Sequence, residues 1–167
     1  MPTAFPVEWG RLGREGKVVE FKTDVGTWVG NFKPGLGGIN LAGMHPNGRD
    51  AVIIAAGDLW VVNPDTRVGQ LLLPAIDAAM EVQEPTGWIF SWQGLALVRL
   101  GSLGIVWHTR RLSWDGFDQL RVDQGEVKGL AWSPDDQWHP FCVDLGTGRS
   151  TGGSFGSEDS EGWEKCL

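Results

Sequence analysis

The 167-residue chain has no tyrosine, only two cysteines, three methionines and three histidines. Each shortage closes off a class of protein. Cys142 and Cys166 stand far apart, so there is neither a disulfide framework nor the paired spacing of a zinc ribbon. Fourteen Lys and Arg against 21 Asp and Glu give a formal net charge of −7. That balance repels phosphate backbones and anionic lipid unless a local basic patch overrides it, and Arg110-Arg111 is a pair, not a patch. No apolar run approaches the ~20 residues that cross a bilayer. The opening "MPTAFPVEWG" has no basic n-region and no continuous apolar h-region. A cytoplasmic protein that binds neither nucleic acid nor membrane is expected.

What the chain does have is 25 glycines, nine prolines and ten tryptophans. Short apolar and β-branched runs alternate with Gly, Pro, Asn and Asp punctuation, the pattern of antiparallel strands joined by tight turns. "KVVEF" and "TWVGNF" flank a Gly-bearing turn. "HPNGRD" carries Asn47-Gly48, which predicts a type I′ turn. "AVIIAA" and "LWVVN" follow as strands, closed by "NPDTR". In "QLLLPAIDAAMEVQEP", helix formers lie between Pro74 and Pro85, which leaves at most one short helix, near 75–82. "GWIFSW", "GLALVRL" and "GIVWHTRRLSW" are strand-like. "FDQLRV", "EVKGLAW" and "QWHPFCVDL" then form a meander through the "DQG" and "SPDD" turns. Residues 1–149 are therefore expected to form one antiparallel β domain, and the polar, Gly/Ser-rich residues 150–167 a C-terminal tail.

The chain is faintly repetitive. "HPNGRDAVIIAAGDLWVVNPDTR" and "SPDDQWHPFCVDLGTGR" share an order of Pro, turn, apolar strand and second turn. Pro46 and Pro134 stand 88 positions apart, about twice the ~40–45-residue period of a propeller blade. "GLALVRLGSLGIVWHTR" resembles the glycine, leucine and tryptophan rhythm of quinoprotein-type β-propeller blades. The run from "RRLSWDG" through "AWSPDDQW" to "VDLGTG" is similar to a segment of small uncharacterised bacterial proteins, a likeness that implies no activity. A closed propeller needs at least four blades of about four strands, which this length barely supplies. The expected architecture is an all-β antiparallel meander or sandwich with blade-like hairpins.

No catalytic set assembles from the sequence. Gly152-Gly153-Ser154-Phe155-Gly156 matches G-x-S-x-G formally, but neither a buried strand nor an amphipathic helix flanks it, as a nucleophile elbow requires. "PGLGGIN" and "GTGRSTGG" fail as dinucleotide or phosphate loops. His45, His108 and His139 lie on separate segments. In a strand, His139 and Cys142 point to opposite faces. No metal, no cofactor and no catalytic residue is therefore assigned. The carboxylates sit mostly in turns beside Gly or Pro, where aspartate bonds local backbone N–H groups.

The aromatics are the strongest signal. Trp60, Trp107 and Trp132 lie inside apolar strand patterns and are expected in the core. Trp114 and Trp138 fall at strand edges or turn mouths, beside Asp115, Asp118, Asp135 and Asp136. A partly exposed tryptophan ringed by carboxylates suits a protein interface, since tryptophan is enriched among binding hot spots and carboxylates steer a basic partner. These six residues form the candidate binding site of a non-enzymatic module, an immunity-type or inhibitor protein acting on a second, basic protein. A carbohydrate- or small-ligand-binding β module is the alternative, and a carboxylate-dependent hydrolase comes third.

Overall fold

The computed structural model describes residues 16–156, and every regular element in them is a strand. The fold is all-β and antiparallel, as expected. A two-stranded hairpin precedes three four-stranded sheets, each a meander of consecutive strands. The chain divides into two compact units, up to Ile76 and from Asp77 onward.

In the first unit, β1 (Lys17–Thr23) pairs with β2 (Gly26–Phe32). β3 (Leu41–Met44), β4 (Ala51–Ala55), β5 (Asp58–Asn63) and β6 (Val68–Leu73) form a sheet in that order. Strand alternation puts Val19, Phe21, Trp28 and Phe32 on one hairpin face, where they pack with Ile53, Ala55, Trp60 and Val62. The other hairpin face leaves Val18 and Val29 exposed. Phe21 and Trp28 are register partners and stack with ring centroids 4.3 Å apart.

The glycine cluster is a strap against the β4–β5 turn. Gly35 N–H donates to Ala55 O at 2.9 Å and Gly37 N–H to Ala56 O at 2.8 Å. A Cβ on Gly37 would lie 3.1 Å from the Cα of Gly57, so any side chain there would push the β4–β5 turn back by a few tenths of an ångström, which glycine avoids.

The "HPNG" turn is not type I′. That type needs positive φ at both central residues, and only Gly48 has it, at +69°. Pro46, with φ held near −65°, starts a type I turn instead, and Gly48 completes it in the left-handed region.

In the second unit, β7 (Ile76–Val82), β8 (Gly87–Trp92), β9 (Ala96–Gly101) and β10 (Gly104–His108) form one sheet. β11 (Phe117–Asp123), β12 (Glu126–Trp132), β13 (Trp138–Asp144) and β14 (Ser150–Gly152) form the other. The segment open to a short helix is β7. Its helix propensity is outweighed by a period of two: Met80 and Val82, on one face, pack into the unit's core, while Asp77 and Glu81 of the other face are exposed. Propensities of a few tenths of a kcal/mol per residue yield readily to such burial.

That core joins the two sheets, with Ile89, Leu97 and Trp107 against Val127, Ala131, Phe141 and Val143. Two buried donors tie them further. Arg99 Nη1 and Trp107 Nε1 both donate to Leu145 O, at 2.8 and 2.9 Å.

The first residues of the segment expected as a tail are ordered into the sheet. Ser150–Gly152 pairs with β13, and Phe155 is buried. Positions 157–167 of that expectation lie outside the described residues.

The two similar turn series sit differently in their sheets. "HPNG" joins the first and second strands of its sheet, whereas "SPDD" joins the second and third. Two strands separate the paired turns in the first case and one in the second. The turns between third and fourth strands do match. Asn63 Oδ1 accepts from Thr66 N–H at 2.9 Å and Thr66 Oγ1 at 3.0 Å. Asp144 Oδ1 accepts from Thr147 N–H and Oγ1, both at 2.7 Å.

Candidate functional site

All six predicted site residues lie at one end of the sheet β11–β14. The β12–β13 turn carries two of them. Ser133 N–H donates to Gln137 O and Asp136 N–H to Ser133 O, both at 3.0 Å. Asp136 adopts φ +60°, a place where aspartate substitutes for glycine at some cost. Asp135 Oδ1 accepts from Gln137 N–H at 3.2 Å. A hydrogen bond from Ser133 is the main reason that its carboxyl is held below the ordinary value, and the Gln137 N–H adds to the effect. The turn is therefore closed by its own hydrogen bonds, which favour the ionised form of Asp135.

Trp138 opens β13 directly after this turn and is 45% exposed. Its register partner is Trp132, so the two indoles share a face of the sheet. Trp132 is half-buried on that outer face rather than in the core. The reason is parity. Val127, Gly129 and Ala131 are the buried set of β12, and Trp132 falls in step with Glu126, Lys128 and Leu130. Those two charges in "EVKGLAW" were the available sequence signal, because a strand face shared with Glu and Lys does not face a core. Trp60, also expected in the core, is half-buried at its margin, whereas Trp107 is buried.

The next row on this face is Asp118, Leu130 and Pro140. Asp118 is exposed, and its Oδ1 accepts from Gln119 N–H at 2.8 Å. A register shift between Asp118 and Arg121 then carries β11 past the ladder, which is how a bulge re-aims a side chain.

Trp114 and Asp115 reach the same end through the backbone. Trp114 N–H donates to Trp132 O at 3.1 Å, and Trp132 N–H to Gly116 O at 3.2 Å. The Trp114 ring, 42% exposed, leans on Phe155 with centroids 4.6 Å apart. Arg111 completes the cluster, its guanidinium carbon 4.1 Å from the Phe155 ring centroid and 5.1 Å from that of Trp114. Its Nε donates to Ser113 O at 3.0 Å and Nη2 to Trp114 O at 3.1 Å. Burial lowers the Arg111 pKa, yet a guanidinium remains charged at any working pH.

Arg110 clasps the returning chain, with Nη1 donating to Phe155 O at 2.6 Å and Nη2 to Gly152 O at 2.8 Å. Ser154 Oγ donates to Trp132 O at 2.6 Å. The serine of the G-x-S-x-G match is thus a strap residue on a strand end. Phe155, Arg111 and Ser154 support the site, and only the fold reveals them.

Asp115 is exposed, and its charge repels that of the Asp77 carboxylate of β7. Although Asp77 reaches solvent, the protein packed around its carboxyl partly desolvates it and raises its pKa, the Gly94 N–H opposes that rise, and the Asp115 charge adds to it.

The two ends of this sheet face differ in charge compensation. At the far end Lys128 Nζ lies 2.9 Å from Asp123 Oδ2 and 3.2 Å from Glu126 Oε2. At the tryptophan end, among the described residues, Asp115, Asp118, Asp135 and Asp136 take part in no salt bridge.

No protein-family model matches the chain, and no curated protein matches it. Among the described residues no three His, Cys, Asp or Glu side chains are grouped closely enough to hold a metal ion. No helix among them is long and apolar enough to cross a membrane.

Proposed function

We propose that the chain is a cytoplasmic, non-enzymatic protein-binding module of the immunity or inhibitor type, which engages a partner protein through the tryptophan end of β11–β14. The observation that carries this reading is the half exposure of Trp114 and Trp138 on firmly hydrogen-bonded supports. A large aromatic ring held in place loses little conformational entropy on binding, and such rings dominate interface energies. The surrounding carboxylates suit a basic partner.

The three successive meanders start at Leu41, Ile76 and Phe117, 35 and 41 positions apart, which supports reading each as a blade-like four-stranded unit.

The test is a pull-down from the native host followed by calorimetry on the captured partner. Trp138→Ala is expected to weaken binding by about 2 kcal/mol or more. A folded Trp138→Ala protein that binds unchanged would remove the reading. The paired indoles favour one second reading, a sugar-stacking platform, which fluorescence titration with a glycan panel would detect.

A further inference from the structure

We infer that the outer face of β12–β13 around Trp132, Trp138 and Asp118 is a receptor for a cationic side chain, the arginine or lysine of a basic peptide segment. This rests on the protein-binding reading and gives its partner a chemistry. The register fixes the layout. Trp132 and Trp138 are cross-strand partners, and Leu130 with Pro140 forms the next row, flanked by Asp118 on β11. A long cationic side chain has an apolar stem and a charged head. Here the stem lies over two indoles and a proline, and the head meets a carboxylate.

Charge complementarity selects this occupant. Of the cations on this face, Lys128 is already held between Asp123 and Glu126, and its register partner Arg121 turns Nη1 to Gln119 O at 3.4 Å. Arg111 donates to Ser113 O and Trp114 O and packs on Phe155. Asp115, Asp118, Asp135 and Asp136 therefore leave a negative potential beside two π faces. Both features attract cations, and an indole is the best π partner of the aromatic side chains. A second copy of this chain would bring a net charge of −7 toward the same carboxylates, which disfavours it as occupant.

The experiment uses the full chain with blocked tetraarginine and tetralysine as probes, tetraglutamate as control, at low ionic strength. Indole N–H resonances report the site, with Trp138→Phe assigning that signal. Saturable shifts of the Trp132 and Trp138 indoles are expected with both cationic peptides and not with tetraglutamate. Affinity is expected to fall about three- to tenfold in Trp138→Ala and in Asp118→Asn, and to fall steeply with salt. Asp118→Asn removes the charge while leaving an Oδ1 to accept from the Gln119 N–H, so it stays informative if Trp138→Ala fails to fold.

Four results would overturn the inference. Shifts that persist in Asp118→Asn with unchanged affinity, or that map away from the two indoles, remove the receptor. Concentration-dependent dimerisation abolished by Trp138→Ala assigns the face to a second copy, which removes the cationic occupant but leaves protein binding standing. Indole shifts produced by neutral oligosaccharides and not by the peptides remove both.

Discussion

The two sheets of the second unit share a meander topology and differ in how many faces they bury. All six residues of β8 and all six of β9 are buried. In β12 buried and half-buried residues alternate strictly, and β13 has an inner face of Phe141 and Val143 against an outer face of Trp138, Pro140 and Asp144. A strand closed on both faces contributes stability and offers nothing to solvent. One closed on a single face keeps every second side chain free to meet a partner. The candidate binding residues therefore concentrate on β11–β14, while the strands of β7–β10 that are closed on both faces supply core.

Substitution tests this division directly. Leu97→Ala, in β9, is expected to cost about 2–5 kcal/mol, whereas Leu130→Ala on the outer face of β12 should cost under about 1 kcal/mol. Urea unfolding of both variants decides the matter, and equal losses would erase the distinction.

The strap sharpens it next. Phe155 is buried beneath Trp114 and Arg111, so Phe155→Ala should cost about 3 kcal/mol, the low end for a buried phenylalanine. It should also raise the accessibility of Trp114 to acrylamide. Loss of stability without greater quenching would show that the strap does not position Trp114.

Acid separates the sheets by sign. Hydrogen bonds from the Thr147 side chain and backbone hold the Asp144 carboxyl below its ordinary value near 3.8. Its contribution is present above that value and is lost as pH falls through the depressed folded value. Asp77, on the β7–β10 sheet, is shifted upward chiefly by partial desolvation of its carboxyl. Its contribution is complete below 3.8 and is lost as pH rises through the raised folded value. Asp144→Asn should flatten the acid limb of a stability profile and Asp77→Asn the limb above it. An unchanged profile in both variants would contradict these environments.

The smallest expected effect concerns the turn that carries the site. Asp136 sits at φ +60°, so Asp136→Gly should stabilise the protein by a few tenths to about 1 kcal/mol while removing one carboxylate. A fall in melting temperature would mean that the aspartate side chain contributes more than its backbone strain costs.

Much of the strand order was legible because turn chemistry is local. Pro, Gly, Asn and Asp mark their own positions whatever the chain does elsewhere. Candidate residues beside turns, such as Trp138 and Asp135, were readable for the same reason. Trp132 lies outside the core because its parity with Glu126 and Lys128, and not the apolar run around it, fixes its face. The supporting shell of Phe155, Arg111 and Ser154 was hidden, since contacts across 40 or more positions leave no periodic trace.

The sequence by itself determined the all-β class, most hairpin positions and the net negative charge, because alternation, turn residues and net charge act over a few neighbours or over the whole composition. Only the tertiary structure decided that 76–82 is a strand, that Gly152–Phe155 clasps the end of β11–β14, and that Trp132 and Trp138 lie side by side. Each of these depends on which distant surface is available to bury an apolar face or to accept a hydrogen bond.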